Sequence, residues 1–433
     1  MTSAKVWSGN LGQTATHAVV YAQLYTPVVN NNKSASGSGK TAEECHGLHA
    51  FVVPVRDPTT LRPYSGVLVG DMGEKIGWNG LDNGWVMFDN YRISRENLLN
   101  RAGEVTPEGI YTSPHKDPSK RRTSGLGALS SGRIGITGHG ALALRLSVPI
   151  AIRYSAAREQ FGPEDSDVEW PVLEYPLQQY RLIPYLAAAV VLMKFSDQLL
   201  DRFFEYTIRL VGGENNEEMA NLGKEFHCLS SASKPLATWT GMRAIQECRE
   251  ACGGHGYLKC SRFGELRGDN DPSLTYEGDN NVLLQQTSNT LLGLMSEMKK
   301  SKKIGSPMKS MSFVQDINVI LQNKVTIYED KTKTVLSVYK WLCCYLLSKT
   351  YEKMTQELNK HKEPFVARNK IQVNLAHTLA IVYCENTVIA WFHEYLTDSN
   401  PSREIAQLLK KLLDLYALWS LEKHLATLYI GNV

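Results

Sequence analysis

The spacing of apolar residues along the chain changes near residue 124. Before that point, short apolar runs rich in β-branched and aromatic residues alternate with Gly, Asn, Asp and Pro, a pattern typical of an antiparallel sheet or barrel. Between the first two runs lies a polar, Ser- and Gly-rich stretch at residues 30–40, which we expect to be a mobile loop. The apolar runs occupy residues 16–22, 48–55, 66–69 and 85–88. We therefore predict a β domain over residues 1–115.

After residue 124 the apolar period lengthens to about 3.6 residues, which predicts amphipathic helices. The pattern continues to the C-terminus, where Leu408, Leu412 and Trp419 fall on one helical face. The predicted helices before residue 300 are residues 134–158, 170–211, 214–231, 234–251 and 282–295. The chain is therefore predicted to be mixed but mainly α, with a β domain followed by two helical bundles.

A run of lysines divides the helical part of the sequence. Residues 299–303 read KKSKK and are followed by Gly305 and Pro307, a composition typical of a solvated hinge. A nuclear-import signal is the alternative interpretation of the same lysines. We place a linker at residues 299–309, which separates a helical domain at 120–298 from a C-terminal helical domain at 310–433.

The composition is that of an ordinary soluble globular protein. The 433 residues are 43% hydrophobic and 21% charged, with a formal net charge of +3, so nothing indicates a nucleic-acid partner. The eight cysteines are dispersed, which favours reduced thiols over a disulfide framework. The longest uninterrupted apolar run, residues 186–193, is too short to span a bilayer, and no signal peptide is evident.

Two short motifs carry the candidate chemistry. The first, CGGHGY at residues 252–257, follows a helical run and ends it, and its adjacent glycines allow an anionic ligand to approach their N–H groups. The second, TYEGDN at residues 275–280, places Glu277 just before another apolar helical run. A carboxylate in that setting is a candidate general base. The alternative is a first-turn helix carboxylate that is stabilised by the macrodipole.

Three other patterns resemble binding motifs less closely. The SGKT sequence at residues 38–41 lacks the first glycine of a phosphate-binding loop and is rejected. The GHGALA sequence at residues 138–143 has dinucleotide-binding spacing, but no strand precedes it, so close helix packing is the better interpretation. A cluster of potential zinc ligands does not match common structural-zinc spacing, and we interpret its thiols as buried; its members are Cys248, Cys252, His255 and Cys260. No metal site is predicted.

The motifs together resemble a known family. CREACGGHGY at residues 248–257 and TYEGDNN at 275–281 closely match the peroxisomal acyl-CoA oxidases, flavoenzymes related to the acyl-CoA dehydrogenases. The stretch LEYPLQQYRLIPYLAA at residues 173–188 looks most like the branched-chain, pristanoyl-type enzymes. The resemblance extends over almost the whole chain.

The resemblance implies a fold and a reaction. The fold would be that of the acyl-CoA dehydrogenases and oxidases, and the cofactor would be FAD. Glu277 would remove an α-proton from an acyl-CoA, a hydride would pass from the β-carbon to the flavin, and O2 would reoxidise the flavin to give H2O2. The product would be a trans-2-enoyl-CoA, as in the first step of peroxisomal fatty-acid β-oxidation.

The resemblance also implies roles for particular residues, in a homodimer. Arg158, Gln160, Phe161, Gly253 and Gly254 would bind the pyrophosphate and adenine end of the FAD that belongs to the other subunit. Trp7 and Gly9, in a segment resembling the family's KxWxGNxG, would lie against the flavin, although an aromatic residue at a strand start is an equal alternative. Asp279 would make a supporting contact near the cofactor. Arg133 would lie near the CoA-bearing end of the substrate, which Tyr276 and Gly278 would also contact.

The sequence departs from the family at both ends. The family's N-terminal helical domain and the first half of its β domain would precede Lys5, and the chain ends in Gly431-Asn432-Val433 instead of a peroxisomal targeting tripeptide. We therefore expect a partial β domain and an incomplete C-terminal helical domain. Two hypotheses stay open, a flavin-dependent acyl-CoA oxidase, and a catalytically impaired scaffold or dimerisation module that keeps the fold.

Overall fold

The computed structural model describes residues 2–28, 43–101, 103–114, 118–323, 325–399 and 401–433, with the side chains of 118–128 excepted. Within this part the chain forms two compact units, residues 1–128 and 129–433. The first unit holds the strands and the second holds almost all of the helices. The polar stretch at residues 30–40 and the rejected phosphate-loop pattern at 38–41 lie outside the described residues.

The first unit is built from antiparallel strands, as the apolar alternation predicts. One sheet has the order β1-β5-β4, and β2 pairs with β3 in a long hairpin. A small core forms where the inward faces meet, around Val53, Val67, Val86 and Phe88. The strands are β1 Ser3–Gly9, β2 His17–Pro27, β3 Glu43–Pro54, β4 Val67–Asp71, β5 Asn83–Phe88, β6 Glu104–Val105 and β7 Tyr111–Thr112.

The second unit is helical. The predicted helices at residues 214–231 and 234–251 are one continuous helix, α3, with Pro235 inside it. The expected break is absent because almost every side chain between Cys228 and Thr238 is buried, so packing outweighs the hydrogen bond that proline cannot make. The helices are α1 Pro118–Ala157, α2 Pro176–Val211, α3 Glu217–Ala251, α4 Phe263–Asn270, α5 Asn280–Lys299, α6 Ile317–Asn323, α7 Lys331–His361, α8 Pro364–Lys370, α9 His377–Asp398, α10 Arg403–Glu422 and α11 Leu425–Gly431.

A single apolar core spans both of the predicted helical domains. It runs from Ile134 in α1 to Leu428 in α11 and includes Ile304 and Met308 from the expected linker. The fully buried Glu225 carboxylate accepts hydrogen bonds from the Met308 and Ser310 backbone N–H groups at 2.7 and 3.1 Å. Residues 299–303 are exposed, but the chain after them is fixed, because a buried carboxylate needs those donors.

The small residues of the dinucleotide-like pattern lie inside α1 and serve helix packing. A Cβ on Gly140 would lie 2.6 Å from the backbone carbon of Ala237 in α3, and one on Gly241 would lie 2.7 Å from the Gly140 carbonyl oxygen. Since those are backbone atoms, only glycine permits this crossing. The packing interpretation of residues 138–143 is therefore confirmed.

Among the residues that the structure describes, three helices are long and apolar enough to cross a membrane by length and composition alone. They are Leu129–Ala157, Pro176–Val211 and Gln372–Asp398, and 50%, 56% and 72% of their most apolar windows are buried inside the protein. The length of the longest uninterrupted apolar run therefore does not distinguish these helices from spanning ones.

Candidate functional site

The Glu277 turn lies between a short 3-10 helix, Asp271–Leu274, and the start of α5. Glu277 and Gly278 both have positive φ, 53° and 110°. The N-cap of α5 is Asp279, whose carboxylate accepts hydrogen bonds from the Asn281 and Val282 N–H groups at 2.9 and 3.3 Å. Glu277 therefore precedes the helix cap, and the first-turn interpretation of its carboxylate is wrong.

The Glu277 carboxylate lies against α1 at Gly132. A Cβ at position 132 would lie 2.7 Å from Glu277 Oε2 and 2.8 Å from its Cδ. The missing side chain at Gly132 thus makes the space that the carboxylate fills. Glu277 is otherwise exposed, which leaves its oxygens accessible to a ligand.

Two buried cations hold the backbone of this turn. Arg133 Nε donates to the Glu277 carbonyl oxygen at 3.2 Å, and its Nη1 donates to Ser231 Oγ at 3.3 Å. Lys234 Nζ donates to the Gly278 carbonyl oxygen and to Asn280 Oδ1, both at 2.8 Å. Burial lowers the pKa of Arg133, and it lowers the pKa of Lys234 to about 8, although Asp279 and Glu277 oppose that shift.

Lys234 is a residue of this site that the motifs do not point to, although the sequence holds a signal for it. It is the only charged residue between His227 and Arg243, in a stretch of small and apolar residues. A lone lysine in such a stretch indicates a buried cation with a specific acceptor.

The structure brings the predicted substrate residues to the same place. Arg133 is 5% exposed and its donors go to the turn and to Ser231, so it lies beside Gly278 as a support of the turn. The Tyr276 hydroxyl lies 3.4 Å from His139 Nδ1 and 3.3 Å from Ser273 Oγ. Burial raises the pKa of Tyr276 and lowers the pKa of His139, which favours neutral forms of both side chains.

A second group of predicted residues gathers at the far end of α1. Arg158 follows the helix and is exposed; its Nη2 donates to Gln160 Oε1 at 3.3 Å. Gln160 N donates to the Trp170 carbonyl at 3.0 Å, and Trp170 N donates to the Phe161 carbonyl at 2.7 Å, so these residues form a narrow loop. Phe161 has a φ of 63° and is 71% exposed at the base of that loop.

The Gly-rich turn belongs to this second group. Tyr154, near the end of α1, has its hydroxyl 3.2 Å from Nδ1 of His255, which lies in the 3-10 helix Gly253–Tyr257. A Cβ at Gly253 or Gly254 would meet nothing within 4 Å, so both backbones are open to solvent. Two accessible glycine backbones, on a turn that contacts the helix which Arg158 follows, fit a diphosphate, which is the anionic part of FAD.

The two groups lie far apart along one helix, the first beside Gly132 and Arg133 in the first half of α1 and the second at its C-terminal end. Arg133 and Ala157 are 24 positions apart in α1, which at 1.5 Å per residue corresponds to about 36 Å. The Glu277 turn and the Arg158 group are therefore two separate sites along this helix.

Trp7 and Gly9 lie in the β unit. The register of β1 against β5 shifts between Lys5 and Ser8, which is a β-bulge, and Trp7 lies in it with a φ of 64°. The Trp7 side chain is 59% exposed, and a Cβ on Gly9 would meet nothing within 4 Å. Bulges are common beside binding sites, where they redirect a side chain.

The alternative zinc cluster is not supported. Cys248 and Cys252 are buried, and burial raises their pKa values to about 12 and about 11, so neither is poised as a thiolate ligand. Among the described residues, no group of three or more His, Cys, Asp and Glu side chains is arranged to hold a metal ion.

Comparison with family models identifies two matching segments. Residues 126–292 match the C-alpha1 domain of acyl-CoA oxidase, and residues 331–433 match a second acyl-CoA oxidase model. The first match contains the Glu277 turn, Arg133, Lys234 and the Gly-rich turn.

Comparison with known proteins agrees. The chain is 49% identical over 435 residues to human peroxisomal acyl-coenzyme A oxidase 3, covering 99% of this chain and 60% of the relative. It is 42% identical to the Caenorhabditis elegans acyl-coenzyme A oxidase acox-3, covering 99% of this chain and 62% of the relative. The chain thus spans about 60% of the length of the curated relatives it matches.

Solved structures give the same fold. Acyl-CoA oxidase 1 of Yarrowia lipolytica superposes with a TM-score of 0.84 at 29% identity, covering 99% of this chain and 60% of that one. Acyl-CoA oxidase-2 of Caenorhabditis elegans, solved with FAD, ascaroside-CoA and ATP, gives a TM-score of 0.82 at 28% identity, covering 98% and 59%. The fold is that of the acyl-CoA dehydrogenases and oxidases, and the chain belongs to the acyl-CoA oxidase family.

Proposed function

We propose that this chain carries the catalytic core of an FAD-dependent acyl-CoA oxidase, which converts an acyl-CoA to the trans-2-enoyl-CoA and reduces O2 to H2O2. The proposed setting is the first step of peroxisomal fatty-acid β-oxidation, with branched-chain acyl-CoAs as the substrates tested first. The observation that carries the proposal is Glu277, an accessible carboxylate fixed against Gly132 by a turn that two buried cations hold.

Glu277 is the proposed general base. Its carboxylate takes one proton from the carbon next to the thioester carbonyl, and the turn sets the direction from which it does so. Tyr276 and Gly278 flank it and are proposed to line the position of the acyl chain. FAD, when bound, supplies the redox chemistry, because it accepts a hydride from the β-carbon and passes the two electrons to O2.

Asp279 is assigned to the turn and not to direct catalysis. Its carboxylate is committed to the N-cap of α5, where it accepts hydrogen bonds from two backbone N–H groups. Asp279 is therefore proposed to support the cofactor indirectly, by fixing the shape of the turn.

FAD is proposed to bind across a homodimer. Arg158, Gln160, Phe161, Gly253 and Gly254 would hold the diphosphate and adenine end of the FAD whose flavin faces the other subunit. The length of α1 between Arg133 and Ala157 supports this arrangement, since it separates the base from the diphosphate group by about 36 Å. Trp7 and Gly9 are proposed to lie against the flavin ring.

The proposed partners are acyl-CoA, O2 and a second copy of the chain, and the proposed location is the peroxisome. The mechanism requires neither nucleic acid nor a membrane span. We interpret the three long apolar helices as core helices, because half or more of each apolar window is buried.

The test is anaerobic mixing of flavin-loaded protein with a 2-methyl-branched acyl-CoA while flavin absorbance near 450 nm is followed. Glu277→Gln keeps the size of the side chain but cannot accept the proton, so bleaching should slow by about 10²- to 10⁴-fold while FAD stays bound. Asp279→Asn is the matched control, because Asn caps a helix as well as Asp does.

Equal bleaching rates for Glu277→Gln and the parent would refute the assignment of the base. A colourless chain that binds no FAD, even when joined to the N-terminal part of a relative, would favour the scaffold hypothesis.

A further inference from the structure

Lys234 is a buried charge with specific acceptors. It lies in the middle of α3, its exposed fraction is 0%, and its ammonium donates to the Gly278 carbonyl and to Asn280 Oδ1. Asn280 Nδ2 in turn donates to Thr238 Oγ1 at 3.1 Å, one helical turn along α3 from Lys234. A buried ammonium is costly in free energy unless it is paired. The cost of burying Lys234 therefore points to a role for the groups that it holds in place.

Lys234 holds the Glu277 turn, whose backbone conformation is unfavourable. Glu277 has a β-carbon and yet adopts a φ of 53°, and Gly278 continues the left-handed path at 110°. Such residues persist only where the surroundings over-determine them. Here the two successive carbonyl oxygens are held from two different helices, the first by Arg133 of α1 and the second by Lys234 of α3.

We propose that Lys234 is a positioning residue for the general base: by fixing the Gly278 carbonyl it keeps Glu277 in the left-handed conformation that places its carboxylate against Gly132. The inference rests on the proposed function, because it gives Lys234 a purpose only if Glu277 is the base. It touches neither substrate nor cofactor in this assignment.

The charge of Lys234 gives the proposal a pH signature. The charged groups that face it are Arg133 from α1 and Glu277 and Asp279 from the turn, whereas Asn280 of α5 and Thr238 of α3 are neutral. Burial lowers the pKa of Lys234 to about 8. Above that pH the amine is neutral, and its hydrogen bonds to the turn are no longer charge-assisted.

Local and global effects of this titration have opposite signs. The unfolded chain keeps the Lys234 proton up to its ordinary pKa of 10.5, so the unfolded state binds more protons between pH 8 and 10.5. The contribution of Lys234 to the free energy of unfolding therefore rises over that range, while its hold on the Gly278 carbonyl weakens. A looser turn in a more stable protein is therefore the expected sign that Lys234 has lost its proton.

The experiment compares the parent with Lys234→Met, Lys234→Arg and Lys194→Met. Lys194 is a half-buried lysine of α2 that lies 4.1 Å from the centre of the Tyr395 ring, so it serves as the matched control. The first readout is amide hydrogen exchange of residues 277–282, corrected for intrinsic rates, at pH 7 and pH 9.5. The second is the pH profile of anaerobic flavin reduction by the branched acyl-CoA.

In Lys234→Met the turn amides should exchange about 10- to 100-fold faster at pH 7, the effect of losing a charged hydrogen bond, and flavin reduction should slow with little change in substrate KM. Lys194→Met should resemble the parent in both readouts. In the parent, exchange of the turn should rise and flavin reduction should fall above about pH 8. Lys234→Arg should remove that alkaline limb, because arginine stays charged.

The proposal is overturned if Lys234→Met leaves exchange of the turn and the pH profile unchanged. If Lys234→Met does not fold, the parent and Lys234→Arg decide alone, and identical alkaline limbs would overturn it. The proposed function fails separately: a parent that never bleaches flavin rejects the oxidase, while the exchange readout still tests whether Lys234 holds the turn.

Discussion

Two positions along α1, Gly132 in its first half and Arg158 just beyond its C-terminal end, present opposite kinds of site. At Gly132 the Glu277 turn is packed tightly, with its carbonyls held by buried cations and a carboxylate in the space of a missing side chain. At Arg158 the residues are exposed, and a Cβ added to the neighbouring Gly253 or Gly254 would have nothing within 4 Å.

This difference separates a preorganised site from a receiving surface. The proposed base has to be fixed before the substrate arrives, and three helices of the same chain support the turn that carries it. The proposed cofactor surface, which would receive the FAD of another subunit, needs open backbone and exposed charge. Substitutions around Gly132 should change the reaction, and those around Arg158 should change binding.

Among variants that keep Glu277 itself, the largest effect is expected for Gly132→Ala. The added Cβ would lie 2.7 Å from Glu277 Oε2 and displace the carboxylate. Misplacing a reacting group by about 1 Å costs about 100-fold in rate. Stability should not fall, since alanine favours a helix more than glycine does. Flavin bleaching measures the rate, and thermal unfolding measures the stability. The control is Gly135→Ala, three residues along α1, where a Cβ meets nothing within 4 Å; equal loss in both variants would contradict the proposed contact.

The next effect is expected for Arg158→Ala, just beyond the C-terminal end of α1. Arg158 is exposed and its side chain donates to the neighbouring Gln160, so the melting temperature should stay the same while FAD affinity falls about 10- to 100-fold. The FAD affinity of Arg158→Lys should lie between those of the parent and Arg158→Ala, because lysine keeps the charge but lacks the forked guanidinium that pairs two oxygens at once. The measurement is bound flavin per chain after gel filtration, with sedimentation to give the oligomeric state.

Arg368→Ala, another exposed arginine of the helical unit, is the control for Arg158→Ala. A stoichiometrically flavin-loaded monomer would refute the cross-subunit arrangement and remove the basis of the comparison between the Gly132 and Arg158 sites.

A smaller effect is expected for Gly254→Ala. Its Cβ would meet nothing in the described part of the protein, so stability should be unchanged, while the loss of one close backbone contact should weaken FAD binding by about 2- to 12-fold. Gly253→Ala adds a backbone penalty of about 1 kcal/mol, because the φ at that position is 57°. If Gly254→Ala left FAD affinity untouched, the glycine backbone would not be part of the diphosphate site.

Limited proteolysis should give the smallest functional effect. The exposed lysines at residues 299–303 should be cut by low-dose trypsin before the buried Arg133 and Lys234. The fragments on either side of the cut should elute together, because they share one core. Separation of the fragments under native conditions would support the two helical domains that the sequence predicts.

Much of this protein follows from local sequence signals. The change of apolar period placed the strands and most helices, and the glycines at 252–257 marked the end of α3 at Ala251. The motif around Glu277 also identified the family. These signals are readable because they depend on residues close together in the chain: side-chain alternation, helix capping and the turns that glycine permits.

Tertiary structure decided what depends on distant residues. Packing kept Pro235 inside one helix and joined Ile304 and Met308 to the core, against the local signals of proline, glycine and lysine. The same holds for Lys234, which meets the Gly278 carbonyl across 44 positions, and for Gly132, which faces Glu277. A glycine in the sequence does not show which group occupies the space where a side chain would be, and a lone lysine does not reveal its acceptor. Only the folded chain therefore identifies the Gly132–Glu277 contact and the acceptor of Lys234.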